Sequence, residues 1–397
     1  MKRIPFYIVM LIVSTSVLSG CGKADNYYNE GRKLLKNGSY DKAAQNFASA
    51  IAINQNQADY YIDYGMALIK LGQYEDALSQ FDQAYMAKDL LIIRGNNKKT
   101  FRGKGIAYYY MQQYEDAARQ FQLALEIGEL SGLDMDILYY MADSYQTMGM
   151  YQEAVEAYTS IIRMDDKNAA AYGKRAFSYK SWGNYEQSLA DYDSAVALEP
   201  KNYEYYLGKY YLMAEQGDDA GAAAVLDQAE AITAKTDEDQ YNLAKVHLFR
   251  ENYEQALSEL SESHAKGFQE ANYYIGELYR MKKDYEKAAY YYDIYISSGE
   301  AAAPNVFNQM AICRMKLGDY KEALDYLEQG LAYRGAGILK TLRKNEIIAY
   351  EYLGRYEDAK KKMDAYLEDY PEDEAAKTEA EFILSRIQAD PVTEVTE

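Results

Sequence analysis

The chain has 397 residues, with 62 acidic side chains against 43 basic ones and a formal net charge of −19 at pH 7. A chain this acidic is a poor candidate for binding nucleic acid or an anionic lipid surface, because both depend on basic patches. Its length corresponds to about two or three ordinary domains, unless the chain is built from internal repeats.

The first twenty residues differ in composition from the rest. Lys2 and Arg3 precede an apolar run over residues 4–18, which is too short for a typical membrane span. A short basic start followed by a short apolar run is typical of a secretory signal peptide. We therefore expect residues 1–20 to be a signal peptide.

The end of that segment, Leu18-Ser19-Gly20-Cys21, resembles the lipobox of bacterial lipoproteins. The resemblance implies that Cys21 becomes the mature N-terminus and carries acyl chains such as palmitate, which would anchor the protein to the membrane. It further implies an extracytoplasmic location at the cell membrane, or at the outer membrane in a two-membrane cell. The alternative is a cleaved signal followed by an incidental cysteine.

A ten-residue phrase, GQYEDALSQF at residues 72–81, recurs in similar form along the chain. The third residues of the ten copies are Tyr40, Tyr74, Tyr114, Tyr151, Tyr185, Asp219, Tyr253, Tyr285, Tyr320 and Tyr356. A repeat period in the mid-thirties is the signature of a stacked array.

Each copy predicts a helix, a tight turn and a second helix. Apolar residues upstream of the phrase follow helical spacing, and Gly72 lies where a helix C-terminus favours a left-handed residue. Small residues lie seven residues before and five residues after the turn, as Gly65 and Ala77 do in repeat two. This pattern predicts close helix packing, with Phe81 filling the space beside it.

The pattern resembles the tetratricopeptide repeat (TPR) family. Repeat two carries it as Tyr61, Gly65, Leu68, Gly72, Tyr74, Ala77, Phe81 and Ala84. The resemblance implies an all-α fold, a right-handed α-solenoid of about ten helix-turn-helix repeats with a C-terminal capping helix. The expected organisation is a signal peptide (1–20), a lipidated N-terminus (21–23), the TPR array (24–371), the capping helix (372–390) and a disordered tail (391–397).

Local departures from the pattern put the regularity of the stack in question. Asp219 replaces the phrase tyrosine in repeat six, and repeats seven and eight lack the turn glycine. Extra residues follow repeats two and three, around RGNNKK and GELSGL.

Residues suited to catalysis are few. His247 occupies a position that is tyrosine in other repeats, so we expect a packing role, and His264 has no Cys or His at metal-ligand spacing. Cys313 has apolar neighbours and is expected to be a buried core residue. The sequence therefore predicts a protein that is not an enzyme and holds no cofactor or metal.

Tyrosine is abundant, with 45 residues, and the repeat pattern itself accounts for many of them. Positions ten, six and three residues before the turn share one face of the first helix, which lines the concave groove in TPR arrays. The tyrosines that we expect to bind ligand there are Tyr28, Tyr139, Tyr211, Tyr241 and Tyr273. The alternative, that they pack against neighbouring repeats, fits the pattern equally well.

Within repeat seven, this assignment makes opposite predictions for two tyrosines. Tyr253→Ala should lower the melting temperature, because the phrase position is expected to be core. Tyr241→Ala should leave melting nearly unchanged and reduce ligand binding.

The groove positions hold equal numbers of acids and bases, so the sequence does not predict an acidic groove for basic ligands. The function expected from the sequence is a non-catalytic, membrane-anchored scaffold that binds a protein or an extended peptide, but no nucleic acid. The alternative is a lipoprotein that binds a glycan or cell-wall fragment through groove tyrosines. Peptide ligands predict contacts along many repeats, and sugars predict one compact aromatic cluster.

Overall fold

The computed structural model describes residues 22–88, 90–299, 304–333 and 338–389. Cys21 and the segments 1–20 and 391–397 therefore lie outside the described residues. Within the described ranges the chain is helical, with one short 3₁₀ turn and no strand. The expected all-α fold is confirmed.

The chain divides into two compact units, residues 1–184 and 185–397. The helices of unit 1 are α1 (22–36), α2 (Tyr40–Ile53), α3 (Ala58–Lys70), α4 (Tyr74–Ala84), α5 (Leu91–Tyr110), α6 (Tyr114–Leu125), α7 (Asp134–Thr147), α8 (Tyr151–Met164) and α9 (Ala169–Trp182).

The helices of unit 2 are α10 (Tyr185–Leu198), α11 (Tyr203–Glu215), α12 (Asp219–Glu230), α13 (Asp237–Phe249), α14 (Tyr253–Ala265), α15 (Ala271–Met281), α16 (Tyr285–Ser297), α17 (Pro304–Leu317), α18 (Tyr320–Leu331), α19 (Leu339–Tyr352), α20 (Tyr356–Asp369) and α21 (Glu374–Ala389).

The recurrent phrase marks the start of every second helix. The even-numbered helices from α2 to α20 begin at the third residue of the ten phrases, including Asp219 in the divergent sixth copy. The preceding turn residue has a positive φ in all ten copies. Seven of these residues are glycines. Glu251 and Lys283 of repeats seven and eight, and also Gln112 of repeat three, adopt the left-handed conformation at φ near 60°. Where another residue replaces the turn glycine, the backbone strain of the turn increases, but the turn keeps the same geometry.

Because the residues before the turns are small, the aromatic ring of the second helix packs directly against the backbone of the first helix. A Cβ added to Gly65 would lie 2.7 Å from the Phe81 ring, and one added to Gly276 would lie 2.6 Å from the Tyr292 ring. Gly103 of α5 faces Phe81 from the next repeat in the same way. The Phe81 ring thus fills the space between α3 and α5, and the large ring against a small residue of its own helix pair is the packing that the sequence predicts.

Within each unit, successive helices pack against one another, and first helices also contact the first helix of the next repeat. Such contacts join α3 to α5 and α5 to α7 in unit 1, and α11 to α13 and α13 to α15 in unit 2. The first helices therefore form one continuous layer from α3 to α7 in unit 1 and another from α11 to α15 in unit 2. At the end of unit 2, α21 packs on α20 and buries Ile383 beside Met363 and Tyr366, so it forms the expected cap.

The extra residues after repeat two do not form a loop. RGNNKK lies inside α5, which is 20 residues long, and Lys98 within it is fully buried. Its Nζ donates to the Ile127 carbonyl at 2.7 Å and lies 2.5 Å from an Asp134 oxygen, so the buried charge is paired. GELSGL holds the 3₁₀ turn Ser131–Leu133.

No helix in the described ranges is long and apolar enough to cross a membrane.

Candidate functional site

A cavity of about 610 Å³ opens on the layer of first helices in unit 2. Its lining residues are Glu204, Tyr211, Glu238, Tyr241, Asn242, Lys245, Phe268, Glu270, Tyr273, Tyr274, Tyr295, Asn305 and Val306. They come mainly from α11, α13, α15 and α17, the first helices of four successive repeats. The volume lies within the range of about 300–1,000 Å³ that is typical of ligand sites.

The repeat register explains which side chains meet there. Glu204, Glu238, Glu270 and Asn305 lie thirteen residues before their turns, Tyr241 and Tyr273 ten, and Tyr211 and Lys245 six. Residues three or four positions apart share a helix face, so each repeat contributes the same stripe. Three of the five expected groove tyrosines, Tyr211, Tyr241 and Tyr273, are therefore brought together at one cavity.

The other two expected groove tyrosines lie in unit 1, and their hydroxyls are hydrogen-bonded within the protein. Tyr28 donates to Asp63 at 2.8 Å, and its ring lies 4.6 Å from that of Tyr60. Tyr139 donates to Asn168 at 2.7 Å. These two tyrosines stabilise contacts between repeats, and their ligand-binding role stays a prediction.

Tyr241 forms a wall of the cavity and is also part of the core. It is only 9% exposed, and its ring stacks on Phe268 with centroids 5.3 Å apart. Tyr253, expected to be the core residue of this repeat, is half-buried. The expectation that Tyr241→Ala leaves melting nearly unchanged assumed an exposed side chain, and that assumption is wrong, because the junction residue Phe268 covers one side of its ring. The ligand-binding role of Tyr241 stays a prediction.

Two donors from α13 lie inside the cavity. Lys245 Nζ donates to Asn242 Oδ1 at 3.0 Å and lies 5.0 Å from the Tyr241 ring centroid and 5.5 Å from that of Tyr274. Burial lowers the pKa of Lys245. Asn242 is 8% exposed, and its amide nitrogen has no acceptor among the described residues. The amide nitrogen itself is reached by solvent from the cavity, so it is suited to donate to a ligand oxygen there.

Tyrosine hydroxyls complete the interior of the cavity. The hydroxyls of Tyr211 and Tyr274 are hydrogen-bonded to each other, and burial raises the pKa of Tyr211, Tyr274 and Tyr273. Tyr211 is 42% exposed, so it is the most accessible of the expected groove tyrosines in this cavity. The hydroxyls therefore stay protonated over the physiological range and serve as neutral hydrogen-bonding groups.

Three glutamates, Glu204, Glu238 and Glu270, are the carboxylates of the lining, and all three are exposed. No lysine, arginine or histidine nitrogen of the described residues lies within 4.0 Å of their oxygens. The only basic residue of the lining is Lys245. The cavity therefore carries more negative than positive charge.

Several lining residues were not expected from the sequence. Asn242 and Tyr274 lie nine residues before their turns, one position beside the expected stripe. Phe268 belongs to a junction between repeats, and Tyr295 belongs to a second helix. The first pair could have been found by widening the helical stripe, whereas the other two depend on packing between repeats.

The histidines and Cys313 do not form a catalytic arrangement. His247 is buried, as expected, with Nδ1 2.6 Å from a Glu259 oxygen, and His264 Nδ1 lies 3.0 Å from the Asn272 amide nitrogen. Cys313 is fully buried, and burial raises its pKa to about 12. The part of the chain that the structure describes holds no group of three or more acids, histidines or cysteines suited to a metal.

Comparison with protein families gives matches along most of the chain. Four family models, each described as a tetratricopeptide repeat, match residues 34–89, 136–166, 181–236, 241–305, 304–335 and 348–373. The matched ranges include the helices that line the cavity, except for the first four residues of α13. No curated protein matches the chain.

Solved structures of repeat proteins are similar at low sequence identity. A tetratricopeptide repeat protein from Parabacteroides merdae is 17% identical, with a TM-score of 0.49, over 65% of this chain and 98% of that one. The C-terminal part of a repeat protein from Cytophaga hutchinsonii is 17% identical, with a TM-score of 0.45, over 71% and 99%. YrrB, described as a TPR protein with an unusual peptide-binding site, is 19% identical, with a TM-score of 0.41, over 48% and 93%.

Proposed function

The chain belongs to the tetratricopeptide repeat family, and on that premise we propose that it is a non-catalytic scaffold that binds an extended peptide segment of a partner protein in the cavity of unit 2. TPR domains typically bind proteins or peptides. The observation that carries the proposal is the Asn242 amide nitrogen, which lines a cavity of about 610 Å³, is reached by solvent there and has no acceptor among the described residues.

The lining is suited to a peptide main chain. Asn242 and Lys245 offer donors for main-chain carbonyl oxygens, and Asn305 adds a further polar group two repeats away. Lining residues from four successive repeats match a ligand that extends along the array rather than one held at a single point. Aromatic walls supply large contact areas at low entropic cost.

Binding of a glycan or cell-wall fragment is the second candidate, and one observation favours it. Six aromatic rings line this one cavity, which is the compact cluster expected for stacking on sugar rings. However, Tyr241 already stacks on Phe268, and Lys245 lies against both Tyr241 and Tyr274. Because these ring faces are engaged within the protein, the peptide is the better candidate.

We further propose that Cys21 anchors the scaffold to the extracytoplasmic face of the membrane. The support is the lipobox-like sequence at residues 18–21, which is followed directly in the sequence by the first residue of α1, residue 22. An anchor so close to the first helix would hold unit 1 near the membrane surface.

The peptide proposal is tested by selecting peptides from a display library against the purified protein and titrating them by calorimetry. Tyr211→Ala should weaken binding about fivefold or more, since exposed aromatic anchors contribute strongly to interfaces. Tyr290→Ala is the matched control, because Tyr290 is 62% exposed and lies outside the lining. Failure to select any peptide, or equal loss in both variants, would overturn the proposal.

A further inference from the structure

Resting on the proposed peptide-binding role of the cavity, we propose that the bound segment carries basic side chains, lysine or arginine, which the rim glutamates Glu204, Glu238 and Glu270 recognise.

The groove acids of unit 1 all have partners within the protein. Asp59 pairs with Lys99 at 2.8 Å, and Asp136 pairs with Arg102 at 2.5 Å. The two remaining contacts are between Asp143 and Lys174 at 2.9 Å, and between the Tyr60 hydroxyl and Asp25 at 2.5 Å. Three of these four groove acids thus lie beside a cation, and the fourth, Asp25, accepts a hydrogen bond from a neutral hydroxyl.

Unit 2 differs at the same register. Its glutamates thirteen residues before the turn, Glu204, Glu238 and Glu270, have no cation within 4.0 Å among the described residues. The negative charges of Glu204 and Glu270 stabilise the charged form of Lys245, yet neither carboxylate forms an ion pair with it. The groove positions of the whole array hold equal numbers of acids and bases. The three glutamates of unit 2 nevertheless have no basic partner among the described residues, so they form an acidic rim at the cavity.

The interior indicates how a basic side chain would be placed. On the floor of the cavity, the Asn242 oxygen already accepts from Lys245, so the groups left for a ligand are the Asn242 amide nitrogen and the Lys245 ammonium. Both are donors, so they are suited to carbonyl oxygens of the ligand and not to its cationic groups. The exposed rim carboxylates are acceptors and lie at the ends of the same helices. A segment whose main chain meets the floor therefore directs its long side chains toward the rim, with the alkyl stems along tyrosine rings.

Acids in the first turn of a helix also have a structural role, because they interact favourably with the helix dipole. That role applies to Glu204 and Glu238, and it applies equally to Glu75, Glu115 and Glu153 in the first turns of α4, α6 and α8. The latter three provide a matched control, since they have the same dipole environment and lie outside the cavity.

The experiment measures binding of fluorescent peptides that share one neutral framework and differ at two positions, which are Lys, Arg, Gln or Glu. With the full-length protein, the Lys and Arg peptides should bind at least tenfold more tightly than the Gln peptide, and the Glu peptide should bind most weakly. The triple variant Glu204→Gln, Glu238→Gln and Glu270→Gln should lose about tenfold affinity for the Lys peptide and none for the Gln peptide.

The control triple variant, Glu75→Gln, Glu115→Gln and Glu153→Gln, should bind every peptide as the native protein does. Equal affinity for the Lys and Gln peptides, or equal losses in the two triple variants, would overturn the inference. If Asn242→Ala still abolished binding in that case, peptide binding at the cavity would stand without charge recognition. Binding of a chito-oligosaccharide with no binding of any peptide would overturn both the inference and the proposed function.

Discussion

Replacing Tyr241 with alanine should destabilise unit 2 more than replacing Tyr253. Tyr241 is 9% exposed and stacks on Phe268, with Tyr274 at 6.2 Å, whereas Tyr253 is half-buried at the start of α14. Removing a buried aromatic side chain costs about 3–5 kcal/mol. We expect about 3 kcal/mol for Tyr241→Ala, because the cavity side of its ring already borders open space, and about half of that for Tyr253→Ala.

Thermal melts followed by circular dichroism or calorimetry measure the difference. Unit 2 spans residues 185–397, and in a domain of that size 1 kcal/mol shifts the melting temperature by about 2–4 °C. Tyr241→Ala should therefore lower the melting temperature of this unit by about 6–12 °C. The exposed Tyr290→Ala variant should stay within about 2 °C of the native protein. A larger loss for Tyr253→Ala than for Tyr241→Ala would refute the reasoning from burial.

Four further predictions follow from the turns, the cap and the N-terminus. Glu251 has φ 62°, so Glu251→Gly should stabilise the protein by about 1 kcal/mol in urea unfolding, and a destabilised variant would contradict a strained turn. Burial, together with the hydrogen bond and charge of a neighbouring α21 carboxyl, raises the pKa of Glu351 to about 8. Stability should therefore fall as the pH rises from about 5 to 8, and a Glu351→Gln variant with the same slope in pH-dependent melts would exclude this group. Deleting residues 372–397 should expose the apolar side of α20 and lower solubility, whereas deleting 391–397 should not; equal solubility of the two truncations would contradict a capping role for α21. Cys21→Ala should move the protein from the membrane to the soluble fraction of cells with its circular dichroism unchanged, and retention at the membrane would refute the anchor.

The repeat architecture could be predicted because it depends on local signals. The ten phrases coincide with ten helix starts, and the small residues at positions such as Gly65 face the rings that the spacing assigns to them. The extension of α5 was missed, because RGNNKK contains a glycine and two asparagines and lacks an apolar stripe. Its helix is stabilised by Lys98, whose partner Asp134 belongs to the next repeat.

The candidate site could be predicted only in part. Helical register identified Tyr211, Tyr241 and Tyr273, but the burial of Tyr241 depends on Phe268 from a junction outside the repeat pattern. The sequence shows that the groove positions hold equal numbers of acids and bases, but not which of these charges form ion pairs. Which carboxylates find a cation depends on distances between repeats, and these become measurable only in the structure.

Hydrogen–deuterium exchange of the full-length protein, with and without a peptide selected against it, tests peptide binding at the cavity most directly. The account predicts slower exchange in α13, α15 and the junction around Phe268, with α3 to α7 of unit 1 unchanged. Slower exchange confined to unit 1, or unchanged exchange throughout unit 2 at saturating peptide, would contradict it.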